Sequence, residues 1–476
     1  MADDRPLQSR LGLTPHIVLE RNGSFVSVPF GENNMDTILR RFHALKLRQN
    51  AHSSAYMLPP ELLFLIFEDL AAIAPLQPKA NDNLWNKIGF TVVAQISQRW
   101  RSAALAHKAL WASIELGSMP ARFLNMMVIR AGDHPLTVTC TSNRFPGPQL
   151  IPRARKLDMH GFDSVVSLLQ KFSTLPALPL LETVRLVPTG RNVYNGPGFS
   201  SNFVEHTLPN LRSLEMKFIR FPWGAVAPHL RRLELVQTRV VRLDFILKGI
   251  AALLNLEVLI LDDMDISAPP DDFRSIHCPQ LRHFVIKGPP NECTIFWCSI
   301  ETHPLAFVHI DASRACEAPV YPDTGDLADM AREAGDQFEL YEERPAFSRL
   351  RMSMVKTKPK CQIEIDDEER PAGLYGDSET PSQRYPHPNA GLRVILPVPH
   401  RINETMFSDF ADRGFDTMCR FLTAIPAASK WRVLEMQGAM GWDGNNLSSL
   451  LTHLSGIQSL RFDNCTEHLA TAEFCR

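Results

Sequence analysis

Hydrophobic residues mark this chain with a helical rhythm in its N-terminal part and a longer, repeating one beyond it. Ile17 to Val28 sets two β-rich runs, IVLE and FVSV, on either side of Asn22-Gly23, a pair suited to the positive φ of a tight turn, so a hairpin is predicted. From Asn34 to Gln49, Met35, Ile38, Leu39, Phe42 and Leu45 return mostly every three or four residues, with Arg40, Arg41, Lys46 and Arg48 between them. That spacing predicts a basic amphipathic helix packed on its neighbour. Leu58 to Ile114 is the most apolar helical stretch. Pro59, Pro60 and Glu61 suit a helix start, because a missing N–H costs nothing in the first turn and a carboxylate there meets the positive end of the dipole. At about 100° per residue Leu62, Leu63, Ile66, Phe67 and Leu70 share one face, while Phe64 and Leu65 fall on either side of it. Only Glu61, Glu68 and Asp69 stay polar. Such a helix either lies deep in a large core or is covered twice, once by its own domain and once by something else. Val92, Val93, Ile96, Trp100 and Ala103 to Leu105 continue at helical spacing, and Trp100 and Trp111 add large anchors for a small module.

The pieces LPPELLFLIF, ISQRWRSAAL and ALWASI, in that order, resemble the F-box, a small helical module that docks a substrate receptor onto a Skp-type adaptor and so onto a cullin ubiquitin ligase. The resemblance covers about an eighth of the chain and rests on four features in order: the Leu58-Pro59 pair, the first helix, the Trp100-Arg101 pair and the Leu110-Trp111 pair. It implies that the Leu-Pro pair and the first helix meet the adaptor, through Leu58, Pro59, Leu62, Leu63, Ile66 and Phe67, and Phe64 and Leu65, on the flanks of the same helix, are expected to join them in binding it. The two tryptophan pairs would close the module's own core. Ser97 stands where many relatives have Cys, and Ala71 to Gly89 is a longer link than the family usually carries.

After Trp111 apolar residues recur at positions one, four and six of short segments. These are Ala154, Leu157, Met159; Leu181, Val184, Leu186; Leu211, Leu214, Met216; Leu230, Leu233, Leu235; Leu256, Leu259, Leu261; Leu281, Phe284, Ile286; and Leu305, Val308, Ile310. First positions differ by 27, 30, 19, 26, 25 and 24 residues. A period near this length predicts a leucine-rich-repeat solenoid, in which no turn can bury its apolar face alone. FDSVVSLLQKF and RLDFILKGIAALL fit the connecting helices, and HPLTVTC, after a helical FLNMMVIRAG, fits the first strand beside the F-box-like module. Three residues past the last strand leucine stand Thr189, Ile219, Thr238, Met264, Pro289 and Ser313 rather than a ladder of Asn or Cys, so turn geometry is expected to vary. Unrelated strand and helix pairs in a plain α/β fold are the alternative. From Cys316 to Pro399 proline and charge accumulate, predicting a partly disordered insertion, with CQIEI and LRVIL as short strands within it. The rhythm returns with a helical FADRGFDTMCRFLTAI, then Trp431, Leu434, Met436 and, 26 residues on, Ile457, Leu460, Phe462. Nothing after Phe462 is long enough for a polar cap, which predicts a chain folded back over its last turn or a truncated product.

Composition narrows the function. With 476 residues, 50 basic against 52 acidic groups and a net charge of -2, nothing calls for nucleic acid or an anionic membrane. Nine cysteines without a framework suit reduced thiols in the cytosol or nucleus. No run of about 18 apolar residues and no signal peptide is present. The sequence has no GxSxG, P-loop, HExxH or strand-linked GxGxxG; GAMGWDG at Gly438 to Gly444 reads as a turn. Cys278, His283, Cys293 and Cys298 have the wrong spacing for zinc, and Asp366 to Glu369 reads as a solvated loop. Neither a cofactor nor a metal is expected, and no catalytic residue.

The expected fold is therefore α/β. Residues 1–50 form the hairpin and amphipathic helix, and 51–116 a three-helix F-box-like module. Residues 117–315 and 400–476 form an irregular leucine-rich-repeat solenoid, a curved parallel sheet with helices on its convex side, interrupted at 316–399. Strand residues flanking the buried leucines point onto the concave sheet. They are Thr183, Arg185, Ser213, Glu215, Lys217, Arg232, Glu234, Val258, Ile260, His283, Val285, Phe307 and His309. The stripe is charged early and apolar around Val258, Ile260, Val285 and Phe307, a pattern expected of a site for a target protein formed by Arg185, Glu215, Glu234, Val258, Ile260, Val285, Phe307 and His309, unless loops or the insertion cover it. The expected function is substrate recognition in a cullin-type ligase, without covalent chemistry. The rival is a repeat scaffold outside any ligase, with the F-box-like segment as its cap.

Overall fold

In a computed structural model of the chain, residues 16–21, 24–29, 35–74, 89–117, 119–141, 146–147, 149–172, 176–189, 207–225, 227–237, 241–267, 275–303, 306–312, 349–355, 360–366, 391–397, 433–437, 450–452 and 454–463 are described, with 332 and 422 singly. The chain divides into two units, Met1–Ala112 with Met126–Gly132, and Ser113–Asn125 with Asp133–Arg476.

The first unit begins with β1 (His16–Arg21) and β2 (Ser24–Pro29), antiparallel with Ile17 opposite Val28. The Asn22-Gly23 turn lies outside the described residues. Helices follow as α1 (Met35–Ala51), α2 (Ser54–Met57), α3 (Pro60–Ile73), α4 (Val93–Ile96) and α5 (Gln98–Ala106), with a 3-10 turn at Lys108–Trp111. The basic helix α1 does not pack as its spacing led us to expect. Leu39, Phe42 and Leu45 stay exposed, with the Lys46 ammonium 4.7 Å from the Phe42 ring. The second apolar stretch is not one helix either: Ser97, at φ -155 and ψ 166, interrupts it, and its hydroxyl accepts from Trp100 N at 3.2 Å to cap α5. Core closure comes from aromatics. Trp111 is fully buried, donates its Nε1–H to Ala104 O at 2.7 Å, meets Phe90 edge-on at 5.8 Å and lies under the Arg130 guanidinium at 4.3 Å.

The second unit is α/β and is built around a parallel sheet. Its strands are β3 (Ser113–Leu116), β4 (Leu136–Cys140), β5 (Ala154–Gly161), β6 (Thr183–Thr189), β7 (Ser213–Lys217) and β8 (Arg232–Val236). A short β9 (Val241–Arg242) precedes β10 (Val258–Asp262); β11 (Ile266–Ser267) and β12 (Ile276–His277) precede β13 (His283–Lys287); and β14 (Ile300–Glu301) precedes β15 (Phe307–Asp311). Then come β16 (Arg349–Val355), β17 (Lys360–Asp366), β18 (Gly391–Pro397), β19 (Val433–Gln437) and β20 (Ser459–Asp463). Nine strands run parallel as β3-β4-β5-β6-β7-β8-β10-β13-β15, each added at the edge left by the one before. The first strand is thus Ser113–Leu116, directly after Trp111, and HPLTVTC supplies the second. Beyond β15 the sheet continues parallel into β18, antiparallel through β17 to β16, and parallel again to β19 and β20. The stretch read as an insertion therefore places three strands in the main sheet, and CQIEI and LRVIL are two of them.

The apolar residues at positions four and six of each segment fill one side of this sheet. Leu157, Met159, Val184, Leu186, Leu233, Leu235, Leu259 and Leu261 are all fully buried, at about 1.5–3 kcal/mol for each such side chain. The connections contribute α6 (Ala121–Ala131), whose residues from Met126 on belong to the first unit, α7 (Phe162–Phe172), α8 (Leu243–Ala251) and α9 (Pro290–Ser299). The last of these, which holds Cys293 and Cys298, has no periodic signal; the predicted helix at FADRGFDTMCRFLTAI lies outside the described residues except for Leu422.

Turn geometry repeats over the middle strands and varies elsewhere, with register shifts between β4 and β5 and between β5 and β6. Before successive strands the first apolar residue donates its N–H to a carbonyl three residues back: Leu181 to Leu178, Leu211 to Leu208, Leu230 to Ala227, Leu256 to Leu253 and Leu281 to Cys278, all within 3.0–3.2 Å. After three successive strands the next residue is left-handed, Phe218 at φ 57, Gln237 at φ 50 and Asp263 at φ 58. Each donates its N–H to the last carbonyl of the following strand, Val236, Asp262 and Lys287 respectively. This hydrogen bond offsets the strain of a positive φ at a residue other than glycine, and it operates without the Asn or Cys side-chain ladder looked for in the sequence.

Candidate functional site

Two surfaces carry the residues singled out from the sequence, one in each unit. On α3 the chain enters through Leu58, half-buried, whose carbonyl accepts from Arg99 Nη2 at 2.6 Å, and through exposed Pro59 at φ -55, ψ 149, a value that sets up the first turn. The helix then splits its apolar residues. Leu63 and Phe67 are fully buried, Phe67 against Trp100 with ring centroids 5.5 Å apart. Leu62, Leu65 and Ile66 remain 46 %, 58 % and 39 % exposed. Phe64 is intermediate, stacked on His107 at 4.4 Å and 9°, while His107 Nε2 lies 2.9 Å from Glu68 Oε1. The predicted adaptor face therefore loses Leu63 and Phe67, which are spent on the unit's own core. An i, i+3, i+4 strip of Leu62, Leu65 and Ile66 remains open beside Leu58 and Pro59.

On the sheet, register aligns Asp158, Arg185, Glu215, Glu234, Ile260, Val285 and His309 in one row, with Lys156, Thr183, Ser213, Arg232, Val258, His283 and Phe307 in the row before it. The charged half is an ion-pair chain. Arg185 Nε lies 2.7 Å from Glu215 Oε1 and its Nη1 3.6 Å from Asp158 Oδ2; His160 Nε2 is 2.9 Å from Asp158 Oδ1; Arg232 Nη2 is 2.7 Å from Glu234 Oε2. Burial pushes the Asp158 carboxyl up, but the hydrogen bond with His160 and the charges of His160, Arg185 and Lys156 outweigh it and hold it below its ordinary value. Glu215 ends above its ordinary value, because burial and the facing Glu234 together exceed the pull of Arg185. Burial lowers Arg185, yet Glu215, Asp158 and Glu234 raise it overall. Burial, then Arg232, depresses His283. Like charges directly opposite, as Glu215 and Glu234 are, repel across a sheet; Arg185 and Arg232 compensate from either side.

The apolar half is not an open surface. Ile260, Val285 and Phe307 are buried, as are Glu234 and His309, and among the predicted target-binding residues only Arg185, Glu215 and Val258 keep intermediate exposure. Alternation placed these residues on the face opposite the leucines, correctly, but a parallel sheet is ordinarily covered on both faces. Asp158 and His160 were not singled out, although Asp158 sits between Leu157 and Met159 as Arg185 sits between Val184 and Leu186, so the repeat itself carried the signal. Ser97 and His107 had weaker ones: a serine just before a helical run, and nothing local, respectively. Among the described residues no group of three or more His, Cys, Asp or Glu could hold a metal, and no helix is long and apolar enough to cross a membrane. No protein-family model and no curated protein matches the chain.

Proposed function

We propose that the chain is the substrate-recognition subunit of a cullin-type ubiquitin ligase, an F-box protein with irregular leucine-rich repeats. The observation that carries this reading is the divided helix α3, which gives Leu63 and Phe67 to its own core and leaves Leu62, Leu65 and Ile66 open next to Leu58-Pro59. A helix with two apolar faces, only one of them satisfied, has the form that docking on a Skp-type adaptor requires. The repeats are supported by the nine parallel strands and by the turn hydrogen bonds that recur before and after them. The target site is then the charged end of the row, at Arg185 and Glu215, with Val258, since the apolar end is closed in the free chain. The chain supplies proximity rather than chemistry: holding target and ubiquitin donor together makes transfer effectively intramolecular. Cys140, Cys278, Cys293 and Cys298 are thiols rather than disulfides, which suits the reducing cytosol or nucleus.

The test is capture of a purified Skp-type adaptor by the double variant Leu62→Glu, Ile66→Glu. Each side chain has roughly half its surface left to bury, so losing both removes about 2 kcal/mol, a loss of at least about 30-fold in affinity, with unchanged thermal unfolding. Equal capture by the variant and the natural chain refutes the proposal.

A further inference from the structure

Of the fourteen large apolar side chains left exposed among the described residues, seven lie on α1 and α3: Leu39, Phe42, Leu45, Leu62, Leu65, Ile66 and Ile73. Both helices carry one unpartnered apolar strip, and the strips are complementary in charge. On α1, at about 100° per residue, Leu39, Phe42 and Leu45 share a sector, and Lys46 lies inside it, over the Phe42 ring. On α3 the same construction puts Leu62, Leu65 and Ile66 in one sector with Asp69 at its middle. Beyond those two charges, α1 carries three arginines against one aspartate, whereas α3 carries two glutamates and no base. Each strip is thus an apolar surface with a single charge set into it, of opposite sign.

Both strips are exposed in the single chain, and the segment joining the two helices is tied down. Between α1 and α3, Trp100 Nε1 donates to Ala55 O at 3.2 Å and Arg99 Nη2 to Leu58 O at 2.6 Å. Folding α1 back onto its own α3 would give up these bonds; a second molecule meets no such cost. We propose that two copies of this chain associate reciprocally, the basic helix of each on the acidic helix of the other, with Lys46 of one copy against Asp69 of its partner. Such a contact is self-complementary about a two-fold axis. Helices of this length are about 21–25 Å long and about 10 Å wide, so two such contacts cover about 1,000 Å² in all, near the lower limit for a specific interface. The dimer is accordingly transient, with a dissociation constant in the micromolar range. Its existence rests on these two faces alone. Only its consequence rests on the function proposed above: it covers Leu62, Leu65 and Ile66, so adaptor and second copy exclude each other.

The experiment is the mass of the full chain in solution, by sedimentation velocity from about 1 to about 100 µM. The natural chain is expected to pass from 53.7 kDa towards twice that mass. Lys46→Asp alone and Asp69→Lys alone each weaken self-association by at least about tenfold, because each sets like charges against each other in both contacts. An equimolar mixture of the two variants regains it to within about threefold, since in the mixed pair both contacts again join opposite charges. Circular dichroism of each variant checks that the helices persist, and the mixture keeps the test decisive because it uses the same two proteins. A mass that stays at 53.7 kDa throughout overturns the proposal, as does a mixture no better associated than its components. A monomer whose α1 instead binds vesicles containing phosphatidylserine also overturns it. Adding Skp-type adaptor should return the dimer to one chain per complex; a dimer indifferent to an adaptor that does bind removes the exclusion, and a dimer with no adaptor binding at all counts against the ligase reading only.

Discussion

Replacing Phe67 by alanine separates what α3 does for its own unit from what it offers outside. Phe67 is fully buried and tilted against Trp100 at a centroid distance of 5.5 Å. Truncation removes a buried ring and leaves a cavity that the stacked neighbours fill only in part, at about 3–5 kcal/mol. For a unit of this size each kcal/mol lowers the midpoint by about 4–8 °C, so Phe67→Ala should bring its unfolding down by at least about 12 °C. Leu62→Ala, on the adjacent but open face, should cost under about 1 kcal/mol, because nearly half the side chain is already in water. Native-state hydrogen exchange across Pro60–Ile73 is the suitable assay, since it reads the helix directly rather than the whole chain. Protection in that helix should fall sharply for Phe67→Ala and hardly at all for Leu62→Ala. Equal protection in the two variants would refute the division of the helix into a core face and an open face.

Two further predictions probe the sheet unit. Gly249 lies inside α8, where alanine is ordinarily preferred by about 1 kcal/mol. Here a Cβ would stand 2.6 Å from Trp223 Cε3, and Trp223 is itself edge-on to Phe221 at 4.7 Å, so Gly249→Ala should destabilise by about 1–3 kcal/mol in urea unfolding; a gain in stability would show that Trp223 moves aside freely. Glu292 is held up to about 7, by burial first and then by Asp265 and Asp263. A carboxyl raised on folding contributes stability that is present below its unfolded value of 4.5 and lost as pH rises through about 7. Glu292→Gln should therefore be more stable than the natural chain at about pH 8, with the difference closing by about pH 4.5 in parallel thermal melts; a constant difference across that range would contradict it.

Much of the fold was legible because its signals are local and repeated. Leu157, Val184, Leu214, Leu233, Leu259 and Phe284 occupy equivalent strand positions and are buried to 1 % or less. The helix start at Pro60 and the hairpin either side of Asn22-Gly23 follow from short-range backbone chemistry in the same way. The ion-pair row was only half legible: alternation gave the face of Arg185 and Glu215, while the 2.7 Å contact between them needed the in-register pairing of β6 with β7.

The pattern of apolar residues by itself determined where most of the strands and several of the helices lie, since alternation and helical spacing are properties of a few neighbouring residues. Only the tertiary structure decided which apolar faces are closed. Leu63 and Phe67 go inward while Leu62, Leu65 and Ile66 stay open, and Phe64 rests on His107, 43 residues away in the chain. The apolar half of the sheet row, which the pattern left either open or covered, is sealed at Ile260 and Val285, whereas α1, predicted packed, shows Leu39, Phe42 and Leu45 to solvent. The reason is physical: periodicity says which residues share a face, but burial depends on what distant chain is brought against that face, and a sequence window holds no record of it.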